Sequence, residues 1–367
     1  MAEPESKIFW RIVLIGLVAS LLSNFFLIFT APIDNHFPFI PRYSLFQYLF
    51  SYQDLGFVRR ALVGSLLNLP NDAAFVWQVY LIAVGQYAAL LVFMAYWINR
   101  HGDPGFAWIF VLSPATFLQV GYDFGRLDAF FILVTGLCLM SRSRWPILIL
   151  PVIVLIHEGS IVISAPLIVL AHVYRFGFSA PLVLSVCLAV GLIGWFTINT
   201  QILAVPVSEV YTSLQDNVDI LGLSFSENVA FAANYYSEML MLMTVVPFFM
   251  YLHVLAALYI LAILVYVARS ISGGWWGNLL LVSCCTPLLL IPIGIDLGRW
   301  GALTVFNLFL LHLAWAHWEG PERRPHTALP SLRFAALWLF ILLGPFAIGR
   351  PFPFARMFLT NLHLSAG

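Results

Sequence analysis

Charge is what this sequence has least of. Only 9% of its 367 residues are Asp, Glu, Lys or Arg, against 62% apolar, and no water-soluble fold hides that much apolar surface. The formal net charge is zero, so no basic field exists to attract nucleic acid, and that class of partner is excluded. Lysine occurs once, at Lys7, while Arg occurs 16 times, a bias that hints at a GC-rich bacterial genome. Cysteine is sparse too. Cys138, Cys187, Cys284 and Cys285 all lie within apolar runs, where neither a disulfide framework nor a zinc site is expected, and they read as packing thiols. What is left is an all-α, polytopic integral membrane protein, read as a single transmembrane domain over residues 1–367.

The apolar runs predict about eleven spans, near 8–30, 74–98, 106–122, 129–141, 145–157, 159–174, 180–198, 239–268, 276–293, 302–318 and 332–349. The first is too long for a signal-peptide core and reads as a retained helix. Several fall short of the roughly 20 residues that cross a bilayer upright, so some helices are broken or begin inside the protein. Residues 146–174 form either one long helix or a hairpin turning at "HEGS", His157 to Ser160. The hairpin keeps Lys7, Arg11, Arg100, Arg142, Arg144, Arg175, Arg269, Arg323, Arg324 and Arg333 on the cytoplasmic side, as the positive-inside rule prefers, and it is the reading adopted.

That topology gathers Asp34, Asp54, Asp123, Asp128, Glu158 and Asp296 on the outer side, with Arg59, Arg60, Arg126 and Arg299. Two near-repeats share this face: "GYDFGRLD" from Gly121 and "GIDLGRWG" from Gly294. In each, an Asp and an Arg stand three apart, a spacing that puts both side chains on one side of a helical turn. They either anchor helix ends at the headgroups or face a ligand together. A matched pair of such sites favours the second, because ionisable residues near membrane depth are costly and characteristically functional.

Two outer loops complete the surface. In residues 31–73, "SYQDLGFVRRALVGSLLNLP" predicts a membrane-parallel helix with Asp54 as N-cap and an apolar stripe through Val58, Ala61, Leu62, Ser65, Leu66 and Leu69. "PRYSLFQYLFSY" predicts a second such helix. The loop 199–238 is polar and carries Tyr235 and Tyr236, suited to stacking against an acceptor. His157 and Glu158 sit at the hairpin tip, where Glu158 either meets acceptor hydroxyls or pairs with Arg126 or Arg299. No second His or acid stands at metal-ligand spacing from them.

Carboxylates and guanidinium groups beside a greasy groove suit transfer of a sugar from a polyprenyl-phosphate carrier. A carboxylate takes the proton of the acceptor hydroxyl. Arginines hold the leaving phosphate by paired, charge-assisted hydrogen bonds. A first span, an outer loop with an acidic residue and membrane-parallel helices, then about ten further spans together resemble the GT-C class of polytopic glycosyltransferases. The resemblance implies a polyprenyl-phosphate-linked sugar donor, a glycan or glycolipid acceptor, surrounding membrane lipids and an active face on the outer side of a bacterial inner membrane. It carries the base to Asp54 in "YQDLGFVRR", with Asp34 in "APIDNHF" second. Arg59, Arg60, Asp123, Arg126, Asp128, His157, Asp296 and Arg299 become substrate-binding candidates, and no cofactor is called for. Two alternatives stay open: an O-antigen-type polysaccharide polymerase, and a flippase or transporter of lipid-linked sugar, which would set its charges near the midplane among broken helices.

Overall fold

The structure is a computed structural model. It describes residues 3–30, 33–34, 37–49, 62–67, 73–157, 159–202, 250–271, 274–291, 297–319, 343–346, 352–355 and 357. Outside these lie Asp54, Arg59, Arg60, Glu158 and Asp296, most of the loop 199–238, and most of the predicted final span.

The chain is mostly helical. Helix α1 (Glu3–Thr30) leads into a short antiparallel ladder of β1 (Ile33–Asp34) and β2 (Phe37–Pro41), then α2 (Arg42–Leu49) and α3 (Leu62–Leu66). Then come α4 (Ala73–His101), α5 (Pro104–Leu112), α6 (Phe117–Tyr122) and α7 (Asp128–Met140). A 3₁₀ turn (Trp145–Ile149) opens the next group, α8 (Leu150–Ile156), α9 (Ser160–Ile163), α10 (Ala165–Phe176) and α11 (Ala180–Ile202). Helices α12 (Met250–Ser270) and α13 (Gly274–Cys284), a 3₁₀ turn (Thr286–Leu290) and α14 (Leu297–Glu319) follow. Four stretches are long and apolar enough to cross a membrane: Ile8–Ile28, Phe75–His101, Pro104–Tyr122 and Leu252–Ser270. Five further apolar helical segments among the described residues run to 10–17 residues, so the predicted count of about eleven spans is not established by length.

Proline explains much of the fragmentation. Pro104, Pro146, Pro151, Pro166 and Pro287 each stand in the first turn of a new helical segment, where the missing N–H costs nothing and the chain cannot continue the preceding helix. Backbone groups freed inside an apolar bundle need new partners, and other helices supply them. Tyr259 Oη donates to Ser113 Oγ at 2.7 Å beside the α5–α6 break, and the amide of Phe346 donates to the Pro114 carbonyl at 3.1 Å. Asn307 Nδ2 donates to the Ile163 carbonyl at 2.8 Å, and Thr286 Oγ1 to that of Val162 at 2.6 Å.

Helix α14 is the axis of the bundle, buried at every position from Gly298 to Ala316. Its phenylalanines Phe306 and Phe309 meet Phe110 edge to face at 5.9 and 5.3 Å between centroids, the geometry that aromatic quadrupoles favour. Helix α1 lies against α6 at very short range. A Cβ on Gly121 would fall 2.4 Å from the Ser20 backbone, and one on Gly16 would fall 2.7 Å from the Phe117 ring, so small residues set this crossing, as they do where lipid replaces water.

The hairpin expected at His157 is observed. The chain runs from Trp145 through α8 to His157, whose ring sits 6.1 Å from Phe131 in the first turn of α7, and α9 and α10 bring it back. Arg175 at the end of α10 donates to the carbonyls of Leu139, at 3.0 Å, and Ser141. Trp318 Nε1, at the end of α14, donates to the same Leu139 carbonyl at 3.0 Å. Around this end stand Trp97, His101 and His317 in mutual ring contact, with Arg100, Arg142 and Arg175 near enough to act on His317 electrostatically. The N-termini of α7 and α14 lie together at the other end, where Asp128 meets Arg299.

Candidate functional site

The site is built on the turn from Gly121 to Asp128, which joins α6 to α7. The amide of Asp123 donates to the Gln119 carbonyl at 2.9 Å and closes α6, and that of Arg126 donates to the Asp123 carbonyl at 3.0 Å. Gly125 has φ +83°, a left-handed conformation that side chains resist, and a Cβ there would lie 2.9 Å from Ile40 of β2.

Four side chains from three helices hold this turn by its backbone. Asn24 of α1 donates to the Gly121 carbonyl at 3.0 Å and also to Phe39 at 2.9 Å. Tyr48 Oη of α2 donates to the Gly125 carbonyl. Gln86 Nε2 of α4 donates to the Arg126 carbonyl at 2.9 Å, and Gln47 Oε1 accepts from the Leu127 amide at 2.9 Å. The turn is thereby fixed before any ligand arrives, which is what a preorganised site requires.

Asp128 opens α7, and its carboxylate is gripped by Arg299 of α14. Arg299 Nε lies 2.7 Å from Oδ2 and Nη2 lies 2.6 Å from Oδ1, a bidentate pairing matched to the guanidinium fork. Arg299 is 3% exposed and Asp128 9%. The Arg299 guanidinium also lies 4.4 Å from the centre of its neighbour Trp300's ring. Arg126 Nε approaches Asp128 Oδ2 less closely, at 3.5 Å. Gln119 Nε2 donates to Asp123 Oδ2. Gln119, Asp123, Arg126, Asp128 and Arg299 line one recess, floored by apolar residues that include Phe306. Its free volume of ≈ 20 Å³ accommodates about one water molecule. His157, at the hairpin tip, accepts from the Gly159 amide at Nδ1 at 2.9 Å and is close enough to Asp128 to act on it electrostatically.

The cluster is buried. Asp123 is 5% exposed, and Asp128 and Arg299 stand in the first turns of α7 and α14, so their ion pair joins the N-terminal ends of two helices inside an apolar bundle.

Asp123, Arg126, Asp128, His157 and Arg299 come together, but not by the local pairing read from the repeats. Asp123 and Arg126 flank the left-handed Gly125 instead of sharing a helical turn. Arg299 lies in the first turn of α14 instead of at the end of the preceding run, and its close partner is Asp128, 171 positions away. Asp34 belongs to β1; its side chain, like Asp54, Arg59, Arg60, Glu158 and Asp296, lies outside the described residues. The helix read in "PRYSLFQYLFSY" corresponds to α2, and of the one read after Asp54 the described part is α3. The ladder of β1 and β2 was not expected. Sequence reasoning also passed over Gln119, Gln47, Tyr48, Gln86 and Asn24, although a Gln four residues before an Asp in an apolar run is a readable signal. Comparison with family models, with curated proteins and with solved structures finds no match to this chain.

Proposed function

We propose that this chain is a membrane glycosyltransferase that takes a sugar from a polyprenyl-phosphate carrier and transfers it to a lipid-linked or cell-envelope glycan acceptor, at the outer face of a bacterial inner membrane. The observation that carries this reading is the meeting of Arg126 and Asp128 with the remote Arg299 in one buried recess. Maintaining ionised groups inside an apolar bundle is costly, and residues of this kind in membrane helices mark substrate sites.

Arg126 is assigned to the carrier phosphate, where its hydrogen bonds strengthen as charge collects on the departing oxygen. Arg299, committed to both oxygens of Asp128, is a positioning residue that anchors α7 against α14. Asp54 is assigned as general base, with Asp34 second. It removes the acceptor's hydroxyl proton while that oxygen bonds to the anomeric carbon and the bond from carbon to phosphate oxygen breaks. Glu158, beside His157, is assigned to the acceptor's hydroxyls.

In nanodiscs supplied with a polyprenyl-phosphate sugar, Arg126→Ala is expected to lower kcat/KM about 100-fold, and Asp54→Asn to abolish transfer while the protein stays in the membrane. Undiminished transfer by both variants overturns the reading. A second reading, a flippase or transporter of lipid-linked sugar, is favoured by the broken helices α5–α6 and α8–α10 around the charged cluster. It requires movement of labelled lipid across proteoliposomes with no covalent product.

A further inference from the structure

Gln119 carries an acceptor that nothing described satisfies. It is 5% exposed, its Nε2 donates to Asp123 Oδ2, and its Oε1 has no hydrogen-bond partner among the described residues. The orientation of the amide follows from chemistry. A carboxylate only accepts, so the NH₂ group must face Asp123 and the carbonyl oxygen must face away from it. A buried carbonyl left unpaired costs about 1–3 kcal/mol, so the position calls for a donor from outside the chain.

That donor cannot be an oxygen of an ionised phosphodiester, which offers only lone pairs to another acceptor. Gln119 lines the same recess as Arg126, and the ≈ 20 Å³ free in that recess fits one oxygen atom and not a sugar ring. We infer that Gln119, held by Asp123, is a specificity-determining residue that accepts a hydrogen bond from a single hydroxyl of the ligand whose phosphate meets Arg126. The ligand is then a hydroxylated phosphodiester, and a bare lipid phosphate fills only half of the site. The inference rests on the phosphate assignment of Arg126 proposed above and adds the part of the ligand that is read beside it.

The test uses the full chain in nanodiscs with short-chain probes: citronellyl phosphate, its phosphodiesters with glucose, galactose and mannose, and the monodeoxy analogues of whichever diester binds best. Wild type is expected to bind one sugar diester at least tenfold more tightly than citronellyl phosphate. Removal of one particular hydroxyl should cancel about tenfold in affinity, the worth of a single well-placed hydrogen bond. Gln119→Met is expected to bind the parent diester and that deoxy analogue equally. Arg126→Ala should lose citronellyl phosphate itself. If citronellyl phosphate binds through Arg126 but Gln119→Met keeps full discrimination, the Gln119 carbonyl holds only a structural water and this inference falls alone. If citronellyl phosphate binding is absent or ignores Arg126, both readings fall. Should Gln119→Met not fold, the deoxy series on wild type decides: a loss confined to one hydroxyl supports the inference, and uniform binding overturns it.

Discussion

Asp128 is the residue on which the recess depends. Its two oxygens satisfy a buried guanidinium that has been taken out of water, and removing one member of such a pair strands the other. Asp128→Asn is therefore expected to destabilise the protein by about 3–5 kcal/mol, visible as a lowered thermal transition in detergent. Adding Arg299→Met to Asp128→Asn should restore most of that loss, since no unpaired charge remains, while sugar transfer stays impaired because α7 has lost its anchor. If Asp128→Asn is as stable as wild type, the pair is not what fixes this end of the bundle. Both residues stood out in the sequence as acids and bases in apolar surroundings. Their partnership did not, because nothing local links positions 171 apart and the repeat pointed each Arg toward its own Asp.

At the scale of elements, two contacts position the turn that carries Arg126. Tyr48→Phe removes the hydroxyl that donates to Gly125 and leaves its carbonyl short of a donor, at a cost of about 1 kcal/mol. It is expected to reduce transfer several-fold in a nanodisc assay although Tyr48 touches no charged group of the recess. Gly121→Ala forces a methyl group to within 2.4 Å of the Ser20 backbone. No trimming of the Ser20 side chain relieves that, so a loss of about 1–3 kcal/mol is expected in the same melting experiment.

The apolar runs were legible in the sequence and the positive-inside rule chose the hairpin at His157, whereas the proline-opened segments were not read. The break between Ser113 and Thr116 was read through as continuous helix, because its supports lie far along the chain: the Phe346 amide on the Pro114 carbonyl and the Tyr259 hydroxyl on the Ser113 side chain. The ladder of β1 and β2 was equally hidden. Its stretch holds two prolines and no alternation, and it is tied in place by Asn24 and by Ile40 packing on Gly125. Gln119 was different: standing four residues before Asp123 in an apolar run, it was readable and was passed over.

For the whole molecule, the two ends differ in kind. One holds the recess, the β ladder and α2. The other holds Arg100, Arg142 and Arg175 with an aromatic belt of Trp97, Tyr174, Trp315 and Trp318, as membrane interfaces do. In a background with all four cysteines replaced, Leu66→Cys in α3 and Ser143→Cys after α7, both at exposed positions, are expected to react with a membrane-impermeant maleimide from opposite faces. Labelling of both from one face would dissolve the polarity on which the site depends.

The distance along the chain between Asp128 and its guanidinium partner also bears on biogenesis. A nascent chain exposes the carboxylate to the translocon long before α14 is synthesised, so α7 enters the bilayer with Asp128 matched only by the looser contact with Arg126. The bundle can close only when its axial helix arrives late and brings Arg299 with it. Fragments ending before that helix should then be cleared by membrane proteases, whereas supplying α14 as a separate polypeptide should rescue them.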